Sequence, residues 1–239
     1  MQGSNSNAHH SNPSLISKEK NDTPGSANLR KRGEYLLPPL SAEHRDKKTL
    51  VLDLDETLVH ASNASNAPLP HYDFLLDLPP RGNNDRVIFH VLKRPGVHEF
   101  LEEAAKLFEV VVFTASVQKY ADAALDQLDV NGTLISHRLY KFQCSKVALP
   151  LKDGGEKKVK VKDLSRLGRD LSKTIIVDNN PFTYIMQRKN GLPISSYVEY
   201  DPNDRELNRV MSYLRIVVKQ NRDVRDVLQQ LQEQLKQLQ

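Results

Sequence analysis

The chain has 239 residues, with 34 Lys+Arg against 30 Asp+Glu, a net charge of +4 and one cysteine. That length allows one ordinary domain plus extra segments, and the longest apolar stretch, Val110–Phe113, excludes a membrane span of ~18 residues. Lone Cys144 excludes an intrachain disulfide framework and a four-cysteine metal site, and suits a reducing compartment, cytoplasmic or nuclear. So small a net charge gives no argument for nucleic acid.

Residues 1–44 read as a disordered N-terminal tail, rich in Ser, Asn, His, Gly and Pro, with Leu15-Ile16 as an isolated apolar pair. Such a segment buries too little surface to offset its ordering entropy. Met1–Asn5 lack the charged start and apolar centre of a secretion signal, and Gly3 stands one place late for myristoylation. Leu29–Arg32 reads as a solvated basic patch, with a nuclear address as the alternative. Leu36–Leu40 marks the approach to the folded body.

From Lys48 onward, strand-like runs alternate with helical patterns. Thr49–Leu52 predicts a short buried strand and Val87–Leu92 another. Pro95 opens a helix carrying Val97, Phe100, Leu101, Ala104 and Leu107 on one face. Phe108–Phe113 returns as a strand, and a helix over Gln118–Leu128 ends before Asn131-Gly132. A strand at Leu134–Tyr140 leads into a basic stretch with Asp153-Gly154-Gly155 as a hairpin turn. Thr174–Val177 is the next buried strand, and helices follow over Asp204–Gln220 and from Asp223 onward.

Alternation of this kind implies right-handed crossovers and a mainly parallel α/β sheet with helices on both faces. The domain is expected over residues 45–221, with a small β-rich insertion at about 134–161 and a C-terminal helix at 222–239. In that helix Val224, Leu228, Leu231, Leu235 and Leu238 repeat at 4-3-4-3 spacing. So short a stripe is expected to lie on its own domain, the alternative being self-association or docking of an adaptor.

In parallel sheets ligands bind beyond the carboxyl ends of the strands. There the first strand ends Asp53-Leu54-Asp55-Glu56-Thr57, and period-2 geometry aims both aspartates the same way. Two carboxylates so close need a neutralising cation or a retained proton, and an oxygen-only set suits Mg²⁺. The second strand end offers Thr114-Ala115-Ser116 before a helix start, the last offers Asp178-Asn179, and Lys162 lies between. Carboxylates, a hard metal, a hydroxyl and an ammonium on one edge describe phosphoryl transfer. Cysteine-based phosphatase chemistry is excluded, because the residue six after Cys144 is Pro150 and not Arg; no nucleotide-binding P-loop is present either.

These motifs resemble the small phosphatases of the haloacid dehalogenase superfamily that act on the C-terminal domain of RNA polymerase II. The resemblance runs through Leu52–His60, Val91–Pro95, Phe108–Asp122, Val161–Leu171 and Val177–Pro181. It implies a Rossmann-like fold and hydrolysis of a phosphorylated protein substrate at phosphoserine or phosphothreonine. By resemblance Asp53 is the nucleophile that becomes a phosphoaspartate, and Asp55 is the acid and base. Thr114 would bond the phosphoryl oxygens and Lys162 would offset their charge. Mg²⁺ would be held by Asp53, the Asp55 backbone carbonyl and Asn179, with Asp178 in support.

On the substrate side the resemblance implicates Ala115, Val117, Tyr120 and Lys141, and there the family pattern breaks. About Asn63 stands where the relatives carry a pocket Phe, and Pro79-Pro80 replace aliphatic pocket residues. Lys141 replaces an Arg and lacks its planar fork. Val147–Lys160 adds a basic insert: between Lys141 and Lys173 ten Lys/Arg face four Asp/Glu, an excess that would steer anionic substrates. The alternative function is a phosphoprotein-binding or scaffolding module of the same fold with little turnover.

Overall fold

Consecutive apolar residues become the buried strands of a parallel sheet, and the polar residues after each strand become its functional edge. The computed structural model describes residues 35–80, 86–150 and 154–237. Along the chain these form β1 (Lys48–Leu52), β2 (Val59–Asn63), β3 (Phe74–Leu78), β4 (Val87–Lys93), α1 (Val97–Leu107), β5 (Phe108–Phe113) and α2 (Gln118–Leu128). There follow β6 (His137–Leu139), β7 (Ser145–Pro150), β8 (Glu156–Val161), β9 (Thr174–Asp178), β10 (Gly191–Pro193), α3 (Glu206–Lys219) and α4 (Val224–Gln237).

The main sheet has five parallel strands in the order β10-β9-β1-β5-β6. A parallel sheet covered on both faces needs apolar residues at both parities. Leu50, Leu52, Val110, Val112, Ile175 and Val177 join one core cluster with the buried residues of all four α-helices. Val51, Val111, Phe113 and Ile176 join another with Leu37, Leu139, Leu164, Leu167 and Tyr184. That second face is covered by short 3-10 helices at Leu164–Arg166, Leu171–Lys173 and Ile185–Asn190, and by the chain around Leu37. Residues 35–44, assigned from sequence to the tail, thus include a core residue.

Several boundaries move for local reasons. The helix expected from Pro95 begins at Val97, because Gly96 takes φ +75° at its entry, a conformation that glycine adopts without steric cost. The strand expected over Leu134–Tyr140 shrinks to three residues, since the amides of Thr133, Leu134 and Ile135 turn inward onto the Asp129 carboxylate. A three-stranded antiparallel sheet, β2-β4-β3, stands between β1 and α1, where sequence reading found only β4. The basic insert is the antiparallel hairpin β7–β8. In α4, Val224, Val227, Leu228 and Leu231 are buried in the domain's own core. Residues 1–34, Asp153 and the ends of the stripe at Leu235 and Leu238 fall outside the described side chains.

At the edge opposite the functional one, Glu109 is fully buried in β5. Arg169 grips it with two hydrogen bonds of 2.7 and 2.6 Å, Thr49 adds one at 2.9 Å, and His137 lies 3.3 Å away. The same guanidinium donates to Pro38 O, tying residues 35–38 to the sheet. Burial pushes the Glu109 carboxyl up, but Arg169, His137 and Thr49 together outweigh it and hold the group at about 2, below its ordinary 4.5. Stability from this group is therefore full above pH ~4.5 and is lost as pH falls through about 2. Glu109→Gln is expected to cost about 3 kcal/mol at pH 7, and the gap to wild type should close near pH 2. Urea unfolding at both pH values measures this; equal stability at pH 7 would refute it.

Candidate active site

β1, β5 and β9 end in register, so their following residues meet at one edge. Asp53 continues β1, its amide bonding Val177 O at 3.0 Å, and its side chain is largely buried. Lys162 is carried in on the chain leaving β8 and is 1% exposed. Its ammonium lies 2.5 Å from Asp53 Oδ1 and 2.6 Å from Asp178 Oδ2. Asp178 is saturated: Oδ2 also accepts from Thr183 Oγ1 at 2.6 Å, and Oδ1 accepts from the Asn180 amide at 2.8 Å. It holds Lys162 in place.

Two buried carboxylates share one ammonium, which leaves net negative charge. Burial raises the Asp53 carboxyl most; Lys162 opposes that, and the Asp178 and Asp55 charges add to it, leaving the group at about 7. Burial alone would push the Lys162 ammonium down, but the two carboxylates beside it hold it above its ordinary value. A buried site with this imbalance favours a proton or a cation.

Asp55 shares the strand end but faces other partners. Tyr120 donates to Oδ1 at 2.7 Å, and Ser116 and Thr114 donate to Oδ2 at 2.7 and 3.2 Å. The Ser116 amide in turn donates to Thr114 Oγ1 at 2.9 Å, fixing the turn between β5 and α2. The Tyr120 phenol is raised by burial and then by the Asp55 charge, so it stays a proton donor. The sequence reading brought Asp53 and Asp55 onto one edge; the structure gives them separate surroundings.

The oxygens at this edge suit a hard cation. Asp53 Oδ2 and Asn179 Oδ1 lie 3.4 and 3.5 Å from the same Thr57 hydroxyl, so the two oxygens converge. The Asn179 amide nitrogen is turned away, donating to Glu56 Oε2 and Ser196 Oγ at 2.9 Å each, which leaves its oxygen toward the Thr57 hydroxyl. Among the described residues no three His, Cys, Asp or Glu side chains form a metal cluster. A carboxylate and an amide oxygen fit Mg²⁺, which keeps several waters and takes few protein ligands.

Behind this edge Arg94 is wholly buried. It pairs with Asp204 at 2.7 Å, donates to Thr57 O at 3.3 Å and Ser195 O at 2.9 Å, and stacks over Tyr197. Glu56, at φ +60°, is fixed between the Val59 carbonyl and the Tyr197 amide. Arg94 thus clamps the turn after β1 to the segment that carries Ser196.

The sequence model of the NLI interacting factor-like phosphatase family matches residues 48–225. The chain belongs to that family. Its members are protein phosphatases of the haloacid dehalogenase fold. A probable C-terminal domain small phosphatase of Dictyostelium discoideum is 45% identical over 193 residues, covering 81% of this chain and 58% of the relative. A human CTD small phosphatase-like protein is 44% identical, covering 73% and 57%. The phosphatase PSR1 of Saccharomyces cerevisiae is 42% identical, covering 84% and 45%. The chain spans about half the length of these curated relatives. A fission yeast RNA polymerase II CTD phosphatase, a variant of Fcp1 bound to beryllium fluoride, shares the fold: TM-score 0.51, 18% identity, 80% of this chain and 56% of that one.

Within this family fold the four residues expected on the substrate side, Ala115, Val117, Tyr120 and Lys141, all line one open cleft of about 1450 Å³ together with Asp55. The aromatic wall thought lost at Asn63 is supplied across the ladder. Phe89 of β4 pairs in register with Asn63, lines the cleft and packs 5.2 Å from the Tyr120 ring. Sequence reasoning passed over Phe89, and it placed Thr57, Ser116 and Arg94 inside motifs without giving them a role. Arg94 carried a signal in its place between Lys93, which ends β4, and Pro95.

Proposed function

We propose that this chain is a Mg²⁺-dependent phosphoprotein phosphatase that hydrolyses phosphoserine or phosphothreonine through a phosphoaspartate. One observation supports the reading most: two aspartates, two residues apart on one strand end, sit in opposed environments, Asp53 on a buried ammonium and Asp55 among three hydroxyls. Separating two carboxylates in this way divides nucleophile from proton carrier.

In this mechanism an Asp53 oxygen attacks phosphorus while the serine or threonine oxygen leaves, taking a proton from Asp55. The Asp55 carboxylate then takes a proton from water as that water attacks the phosphoaspartate. Phosphate departs and Asp53 returns to its free form. Lys162 offsets charge on the nucleophile and on the transferring group, and Thr114, beside Asp55, turns its hydroxyl to the phosphoryl oxygens. Asp53 and Asn179, with the Asp55 carbonyl implied by the family resemblance, would hold Mg²⁺, which when bound would let an anionic phosphate approach an anionic carboxylate. The cleft beside Asp55 takes the flanking peptide, with Phe89, Tyr120 and Val117 giving an apolar wall.

Relatives named for the C-terminal domain of RNA polymerase II make that repeat a first substrate to try, and a nuclear setting a first place to look. Phosphopeptides, including that repeat, should release phosphate with Mg²⁺ and stop when it is chelated, and beryllofluoride should inhibit. Absence of Mg²⁺-dependent release from every phosphopeptide and from aryl phosphates would return the chain to the class of phosphoprotein-binding modules.

A further inference from the structure

The hairpin β7–β8 places lysines where sheet physics disfavours them. Lys146 and Lys160 are direct cross-strand partners, and Lys158, two residues before Lys160, falls on the same face. Like charges opposite one another destabilise a ladder. Among the described residues no carboxylate stands within ion-pair distance of Lys141, Lys146, Lys158 or Lys160. Desolvation, then the neighbouring Lys141 and Lys146, hold the Lys160 ammonium below the usual lysine range.

This uncompensated charge faces the site. Lys141, Lys146 and Lys160 line the same cleft as Asp55, Val87 and Phe89. Asp122, another carboxylate in the cleft, is engaged by Tyr140 at 2.6 Å and by Arg138 at 3.3 Å. Among the described residues these lysines have no counter-ion, so an anion entering the cleft would meet them unpaired.

We infer that Lys146 and Lys160, with Lys141 at their foot, form a second anion subsite that selects phosphopeptides carrying another negative group near the scissile phosphate. This inference rests on the phosphatase reading and names its substrate class. Size argues for a peptide over a nucleic acid. Lys158 and Lys160 are about 7 Å apart along the strand, enough for one or two anionic groups and short of the many phosphates that anchor a nucleic acid.

The test compares phosphopeptides identical except at one position near the phosphoserine, which is neutral, glutamate or a second phosphoserine. Wild type should favour the doubly anionic peptides about tenfold in kcat/KM, through KM, and less so as salt rises. Lys146→Ser with Lys160→Ser should bring that ratio to about one, while Lys146→Arg with Lys160→Arg should keep it. Peptide affinities measured on Asp53→Asn give the same ratio without turnover. A failure of catalysis is thereby told apart from a failure of the subsite. A ratio near one in wild type overturns the inference, and so does a ratio that survives the serine changes. Loss of RNA binding in the serine variant with peptide selectivity intact also overturns it, and reassigns the ladder to nucleic acid. The difference between glutamate and phosphoserine peptides tells which source of charge the subsite prefers.

Discussion

Replacing Lys162 by methionine is expected to remove both folding stability and turnover. Methionine matches the length of the lysine stem, so packing around the buried chain is largely kept. What disappears is one buried ammonium that answers two largely buried carboxylates, at 2.5 and 2.6 Å. Breaking a buried ion pair by deleting one partner costs about 3–5 kcal/mol, because the remaining charge stays uncompensated. Here two charges remain, Asp53 and Asp178, with Asp55 close enough to add to them. Unfolding in chelator-free buffer at neutral pH should show the loss, and added Mg²⁺ should recover only part of it. Turnover should fall by about 10²–10³ from the missing stabilisation of the transferring group. A variant as stable as wild type would mean that Lys162 is neutral or solvated in the folded protein, against its burial.

The fold was legible where burial is two-sided. Phe108–Phe113 is apolar at all but one position and β9 carries the unbroken run Ile175–Val177, because both faces are covered, and such runs stand out in a sequence. β2 was invisible for the opposite reason. Val59–Asn63 reads VHASN, with only its first residue buried, and its strand character comes from pairing with β4, not from any pattern of its own. The stretch at Thr133–Ile135 looked like strand by composition, yet a buried carboxylate at Asp129 captures its amides. Competition from a side chain of this kind leaves no periodic trace.

The site divides in the same way. Asp53, Asp55, Thr114, Asp178 and Asn179 were readable because they stand at or just past strand ends fixed by the sheet, and Lys162 because it lies in the Val161–Leu171 motif. Their partners were not. Ser116, Thr183, Thr57 and Ser196 are common polar residues whose relevance exists only once the chain has brought them within hydrogen-bond distance. Phe89 illustrates the limit most directly. Register across β2–β4, which spacing along the chain does not reveal, sets it beside Asn63 and restores an aromatic to the cleft.

Asp53→Asn is expected to separate function from stability in the reverse sense of the lysine change. Loss of the nucleophile should lower turnover by at least about 10³-fold, since no other carboxylate can form the covalent intermediate from that position. Stability should not fall. The substitution removes one of two carboxylates around a single ammonium, leaving a balanced Lys162–Asp178 pair. The effect also has a pH signature. In the metal-free protein the Asp53 carboxyl stands at about 7, above its ordinary 3.8, so the folded state holds this proton more tightly than the unfolded chain. The resulting stability is complete below pH ~3.8 and is lost as pH rises through about 7. Asparagine has no such loss, so the variant should gain on wild type as pH climbs through that window. Mg²⁺ should then raise the unfolding midpoint of wild type near neutrality and leave that of Asp53→Asn nearly unchanged, because binding to the folded state stabilises it in proportion to affinity. Equal Mg²⁺ stabilisation of both proteins would place the cation away from Asp53 and break the proposed donor set.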